Sequence, residues 1–151
     1  MITELEFHFV RHLAKSLTDQ IGFIPEPRLR IDANNNRVWI QYENSQPCGF
    51  LVHGALLPGK PAVIIQAAIT TDAQRRKHAT ALVLKVELEA TLHDCTEIRL
   101  QCAADLPAVE FWKALGYIER SREPGGRRRG RTIVTLSHEL RGRQGALWLP
   151  E

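Results

Sequence analysis

The most constraining stretch of this sequence is Ala62–Thr70, AVIIQAAIT, followed at once by the basic segment TDAQRRKHAT. The first part is a near-continuous apolar run, as a strand covered on both faces requires. The period then changes. Ala81, Leu82, Leu84, Lys85, Leu88 and Leu92 describe a helix over about residues 75–93. A buried strand that runs through a basic turn into a helix belongs to a sheet with helices on its faces.

The neighbouring segments fit that frame. Residues 3–18 predict an amphipathic helix in which Leu5, Phe9, Leu13 and Leu17 recur every four residues, with Val10 beside them, opened by a Thr3/Glu6 capping box. Gly22, Pro25 and Pro27 read as stops, Asn34–Asn36 as a turn, and Leu29–Ile31 is left open as a strand. Val38–Tyr42 and Gly49–Leu56 read as strands around a turn at Glu43–Pro47, with a second turn at Pro58–Pro61. Thr96–Cys102 is a further strand. Asp105 is a good N-cap for a helix over Leu106–Leu115, with Pro107 in its first turn and Gly116 as its stop. Tyr117–Arg120 and Thr132–Leu136 bracket an arginine-rich loop as two strands. The expected fold is one α+β domain over 1–151. It has a helical region to about residue 36, a core over 37–136 with a mixed, mostly antiparallel sheet of about six to seven strands, and a tail over 137–151.

Composition bounds the class. The 44% hydrophobic and 25% charged content are ordinary globular values and exclude a disordered or collagenous chain. No apolar run is long enough to span a bilayer, and the start of the chain carries acids where a signal peptide has bases. Three cysteines without a CxxC pair fit a reducing, cytoplasmic setting. The net charge of +3 is uneven, because residues 120–151 hold eight arginines against three glutamates. That basic last fifth points to an anionic partner, with a solvated arginine loop as the alternative.

The chemistry starts at the junction. The first N–H groups of a helix have no internal partner, and the helix dipole places partial positive charge there. Arg75, Arg76 and Lys77 add full charges, which suits a phosphate or diphosphate. The alternative is an ordinary basic first turn.

On these residues the junction resembles the acyl-CoA loop of the GNAT superfamily of N-acetyltransferases, Arg-x-x-Gly-x-Gly/Ala. Arg75 stands at the arginine, His78 at the first glycine and Thr80 at the second. Asp105-Leu106-Pro107-Ala108 through Phe111-Trp112 to Gly116-Tyr117 is similar to the family's late motif, Asn-x-x-Ala-x-x-x-Tyr-x-x-x-Gly-Phe. The resemblance covers about two thirds of the chain. It implies a GNAT fold, acetyl-CoA or a related acyl-CoA as cofactor, and transfer to an amine on a small molecule or macromolecule. It places the cofactor at Arg75, Arg76, Lys77, His78, Ala79, Thr80 and Asp105, with a backbone N–H at about Ile69 or Thr70 for the thioester carbonyl. Both loop glycines are replaced, and Trp112 stands where the family often has the tyrosine that protonates the departing thiolate. An indole N–H has no labile proton near neutrality. Among other polar groups, His53 has a usable pKa for a base, or is a packed histidine, and buried Gln66 could orient substrate. Tyr117 completes the set of candidate catalytic residues.

The arginines Arg127, Arg128, Arg129 and Arg131 suit an acidic acceptor or a nucleic-acid backbone. Two other readings stand beside acyl transfer. One is a DNA-base modification enzyme like the phage Mom proteins, which look like divergent GNAT folds. The other is a binding module that has lost the chemistry. No metal site is expected, since His8 and His12 lack a placed third ligand. No membrane partner is expected, and Leu147-Trp148-Leu149 could cross to a second copy in a homodimer.

Overall fold

The computed structural model describes residues 1–125 and 131–140. It is a mixed α+β fold whose six strands form one mostly antiparallel sheet in the order β1-β2-β3-β4-β6-β5, flanked by helices. The chain divides into two compact units, residues 1–55 with 64–86 and residues 56–63 with 87 onward.

The first unit holds α1 (Glu4–Ser16), α2 (Thr18–Ile21), α3 (Glu26–Asn34), β1 (Val38–Glu43), β2 (Gln46–His53) and most of β3 (Ala62–Ile69), followed by the start of α4 (His78–Leu92). The capping box forms as read. The Thr3 N–H donates to Glu6 at 2.8 Å and the Glu6 N–H to the Thr3 hydroxyl at 3.1 Å. Most of the expected stripe packs: Val10 is buried, and Phe9, Leu13 and Leu17 lie partly buried against the core. The exceptions are Leu5, which is 83% exposed, and Phe7, which is buried without having been expected. The core face thus also takes three- and four-residue steps through 7, 10, 14 and 17. Phe7, Val10, Leu29 and Ala33 pack against Val38, Phe50, Val52 and Ala68. Each large side chain so buried contributes about 1.5–3 kcal/mol.

Pro25 and Pro27 begin α3 instead of only ending what precedes them, so Leu29–Ile31 is helical. A first-turn proline gives up an N–H that has no partner in any helix. Asp32 of α3 is fully buried and charge-paired, with Arg37 at 2.9 Å and Arg28 at 3.3 Å. The β1–β2 hairpin turns through Asn44 (φ 51°) and Ser45 (φ 65°), which matches the twist of a two-residue hairpin. The return strand therefore starts at Gln46, not Gly49. At Gly49 a Cβ would come within 2.8 Å of the Ala68 carbonyl, so β2 and β3 can approach only without a side chain there.

The second unit holds the start of β3, the end of α4, β4 (Glu97–Ala103), α5 (Ala108–Ala114), β5 (Ile118–Pro124) and β6 (Thr132–Glu139). Ala62 and Val63 pair in parallel with Ile98 and Arg99, and every other strand pair is antiparallel. Leu82, Val83, Val86 and Ala90 form the buried side of α4, while Leu84 and Leu88 of the expected stripe are 55% and 62% exposed. Asp105 does not cap α5. The helix starts two residues later, after Pro107, and Asp105 instead pairs with Arg131 at 3.4 Å. No helix among the described residues is long and apolar enough to cross a membrane.

Candidate functional site

The strand-to-helix junction is built within the first unit. β3 ends at Ile69, Thr71–Ala73 make one 3-10 turn, and α4 opens at His78. Between them the backbone alternates in hand. Arg75 (φ 66°) and Lys77 (φ 65°) are left-handed, and Arg76 between them is not. Alternation of this kind turns successive N–H groups toward one side and makes an anion-binding concavity. The sequence placed the need for glycine at His78 and Thr80. Both instead lie in the right-handed first turn of α4, where no glycine is required.

A left-handed L-residue costs about 1–2 kcal/mol, so a loop with two of them must be held. The holding group is Glu43, the last residue of β1. One oxygen takes the Arg76 guanidinium and the other takes His78 Nε2. Gln41 Nε2 lies 3.1 Å from His78 Nδ1. The Gln41 amide and the Glu43 carboxylate thus bracket the His78 ring, one at each nitrogen. The His78 hydrogen bond, with the charge of Arg76, holds the Glu43 carboxyl below the usual carboxylate range. Two buried polar atoms on this face of β1, Gln41 Oε1 and Trp39 Nε1, have no partner among the described residues.

The two candidate carbonyl donors separate. The Thr70 N–H donates to the Cys48 carbonyl at 2.7 Å. Gly49 opposes Ile69 in the antiparallel ladder. Because successive residues alternate, the Ile69 N–H points away from β2. Gln66, 4% exposed, donates to the carbonyls of Ile21 and Gly22 at 3.2 and 3.0 Å. It pins the chain between α2 and α3 to the sheet. His53 is buried at the end of β2, with Nδ1 2.7 Å from the Gly54 carbonyl, so Nδ1 carries its proton.

In the second unit Trp112 is buried, with its ring 5.1 Å from both Phe111 and Tyr117. His138 stacks on the other side of Tyr117 at 5.2 Å. The Tyr117 hydroxyl donates to Glu87 at 2.8 Å. Burial, with the charge of Glu87, raises its pKa far above the ordinary tyrosine value. That phenol is held neutral and committed to a structural partner. Arg127, Arg128 and Arg129, and the Leu147–Leu149 tail, lie outside the described residues. Among the described residues no group of three or more His, Cys, Asp or Glu could hold a metal.

Sequence reasoning missed Gln41 and Glu43. It gave Glu43 to the hairpin turn, although the two-residue period that puts Gln41 and Glu43 on one face was readable.

A GNAT acetyltransferase family model matches residues 7–117. The chain belongs to the GNAT acetyltransferase family. No curated protein matches it. Its fold is similar to Arabidopsis thaliana NAA60 in complex with a bisubstrate analogue, at 14% identity and TM-score 0.79, covering 93% of this chain and 96% of that one. It is similar to the ribosomal-protein-S18-alanine N-acetyltransferase of Escherichia coli at 16% identity and TM-score 0.71, with coverage of 92% and 90%. It is also similar to Neisseria gonorrhoeae N-acetylglutamate synthase complexed with coenzyme A and N-acetyl-glutamate, at 14% identity and TM-score 0.74. There the match spans 92% of this chain but 34% of that one. These likenesses concern the fold, and membership in the GNAT family supports acyl transfer in general.

Proposed function

We propose that this GNAT chain is an N-acyltransferase that uses acetyl-CoA or a related acyl-CoA and an amine acceptor. The observation that carries the reading is the alternating-hand backbone at Arg75–Lys77, directly before the start of α4. It fits a diphosphate because the N–H groups of residues 76–80 are on offer there and Arg75 and Lys77 bring positive charge to the same loop, while Arg76 is paired with Glu43. The bound thioester supplies the acyl group.

The chain's own residues supply orientation. The Ile69 N–H is the donor for developing charge on the carbonyl oxygen. Gln66 holds the Gly22–Pro25 segment in place, and Glu43 keeps the junction loop in its left-handed turns. Trp112 and Tyr117 pack and donate no proton to the leaving thiolate, which takes its proton from water. His53 serves in packing at the end of β2. The acceptor amine has to arrive neutral, and water is the proton acceptor in this reading. Solved proteins of this fold bear names that include a ribosomal-protein alanine and N-acetyl-glutamate. The corresponding amines define the first panel to try here.

Titration calorimetry with acetyl-CoA and CoA, followed by thiol-release assays on that panel, tests the proposal. Saturable heat and thiol release with an acylated product support it. Absence of heat with both carriers overturns it and leaves a GNAT-fold binding module.

A further inference from the structure

A second polar site is built on the exposed sheet face of the second unit. β4, β6 and β5 alternate in this region. Ile98, Leu100, Val134 and Leu136 are buried on one face. On the other face Arg99 opposes Ser137 and Gln101 opposes Thr135. The β5–β6 register breaks between Glu119 and Ser121, so Arg120 is the extra residue of a β-bulge. A bulge re-aims a side chain, and here it adds Arg120 to the polar face together with Ser121. The result is a recess of about 480 Å³ lined by Glu97, Arg99, Gln101, Arg120, Ser121, Thr135 and Ser137.

Its charges are asymmetric. Arg99 is committed to Glu97, at 2.8 Å from Nε. Arg120 Nε donates to the Ser137 hydroxyl at 2.7 Å, and Ser137 is only 1% exposed. That bond orients the guanidinium from its inner edge. Among the described residues no carboxylate pairs with Arg120. Both of its terminal nitrogens therefore present donors in a fixed fork, the geometry that takes a carboxylate two-handed. The Gln101 amide and the Ser121 and Thr135 hydroxyls add neutral donors. The volume matches small-molecule pockets.

We propose that this recess binds the carboxylate of a small organic anion, with Arg120 as the anchor and Ser137 as the residue that positions it. The inference stands apart from the acyl-transfer reading, because it uses none of the junction-loop residues.

The test is NMR titration of the whole protein with succinate and glutarate, with inorganic phosphate as the competing oxyanion and succinamide as the neutral control. Succinate or glutarate is expected to saturate shifts on amides of β4, β5 and β6 while succinamide is silent. Arg120→Gln is expected to weaken binding about tenfold or more, since a charged hydrogen-bonding anchor is lost. This exposed position does not threaten the fold. Ser137→Ala is expected to weaken binding by a smaller factor with the β-sheet spectrum intact. Equal affinity in Arg120→Gln, no saturation by either dicarboxylate, an equal response to succinamide, or a response to phosphate alone would each overturn the assignment.

Discussion

Replacing Tyr117 by Phe separates a structural phenol from a catalytic one. The side chain is 2% exposed, and its hydroxyl donates to Glu87 at 2.8 Å. Phenylalanine keeps the ring contacts with Trp112 and His138 and removes only that donor. A hydrogen bond to a charged group contributes about 1.5–3 kcal/mol. For a chain of 151 residues, each kcal/mol moves the melting midpoint by roughly 2–4 °C, so Tyr117→Phe should melt about 3–12 °C lower at neutral pH. The sign with pH follows from the raised phenol. A group whose folded pKa lies above its unfolded value adds stability that is complete below the unfolded value of 10.0 and fades as pH rises beyond it. The gap between wild type and variant should therefore narrow in alkali. Calorimetry measures the gap, and a thiol-release assay measures transfer, which should stay within about twofold of wild type. An unchanged midpoint would refute the structural role. A folded variant with transfer abolished would make Tyr117 the acid after all.

Three further outcomes follow from the same geometry. Glu43→Gln should leave the circular dichroism unchanged but weaken CoA binding several-fold, because the two left-handed residues of the loop lose the group that holds them. Calorimetry giving an identical Kd would contradict the latch. Acid should mimic that variant. The Glu43 carboxyl sits below its ordinary value of 4.5, so its stabilisation is complete above that pH and is lost as pH falls through the lower folded value. Wild-type and Glu43→Gln melting curves should converge there. Gln66→Leu leaves the Ile21 and Gly22 carbonyls without their donor, at about 1–3 kcal/mol. Limited proteolysis should then cut faster at exposed Phe23, and an unchanged cleavage rate would argue against the clamp.

Much of the fold was legible because its signals are local. The AVIIQAAIT run, the change of period after it and the Thr3/Glu6 box each depend on neighbours in sequence, and each formed. The errors share a different cause. Leu5, Leu84 and Leu88 were placed inside because several apolar residues shared each helix, and only packing decides which stripe turns inward. Asp105 had the chemistry of a cap, but the helix started beyond its reach. At the junction, the loop and its basic residues were readable. Its latch was not, because Glu43 and His78 are separated by 35 positions and meet only through the fold. The same holds for Tyr117 and Glu87, and for the bulge that turns Arg120.

The hairpin tip at Asn44 and Ser45 fixes where β1 ends, and β1 ends on the carboxylate that two junction side chains share. One residue inserted within β1, ahead of Glu43, would turn Glu43 to the opposite side of the strand. Arg76 and His78 would then lose their common acceptor at a single stroke. The length of β1 and the identities at 76 and 78 are thereby coupled. A designer who wishes to add or remove a residue within β1 must re-engineer the distant loop in the same step.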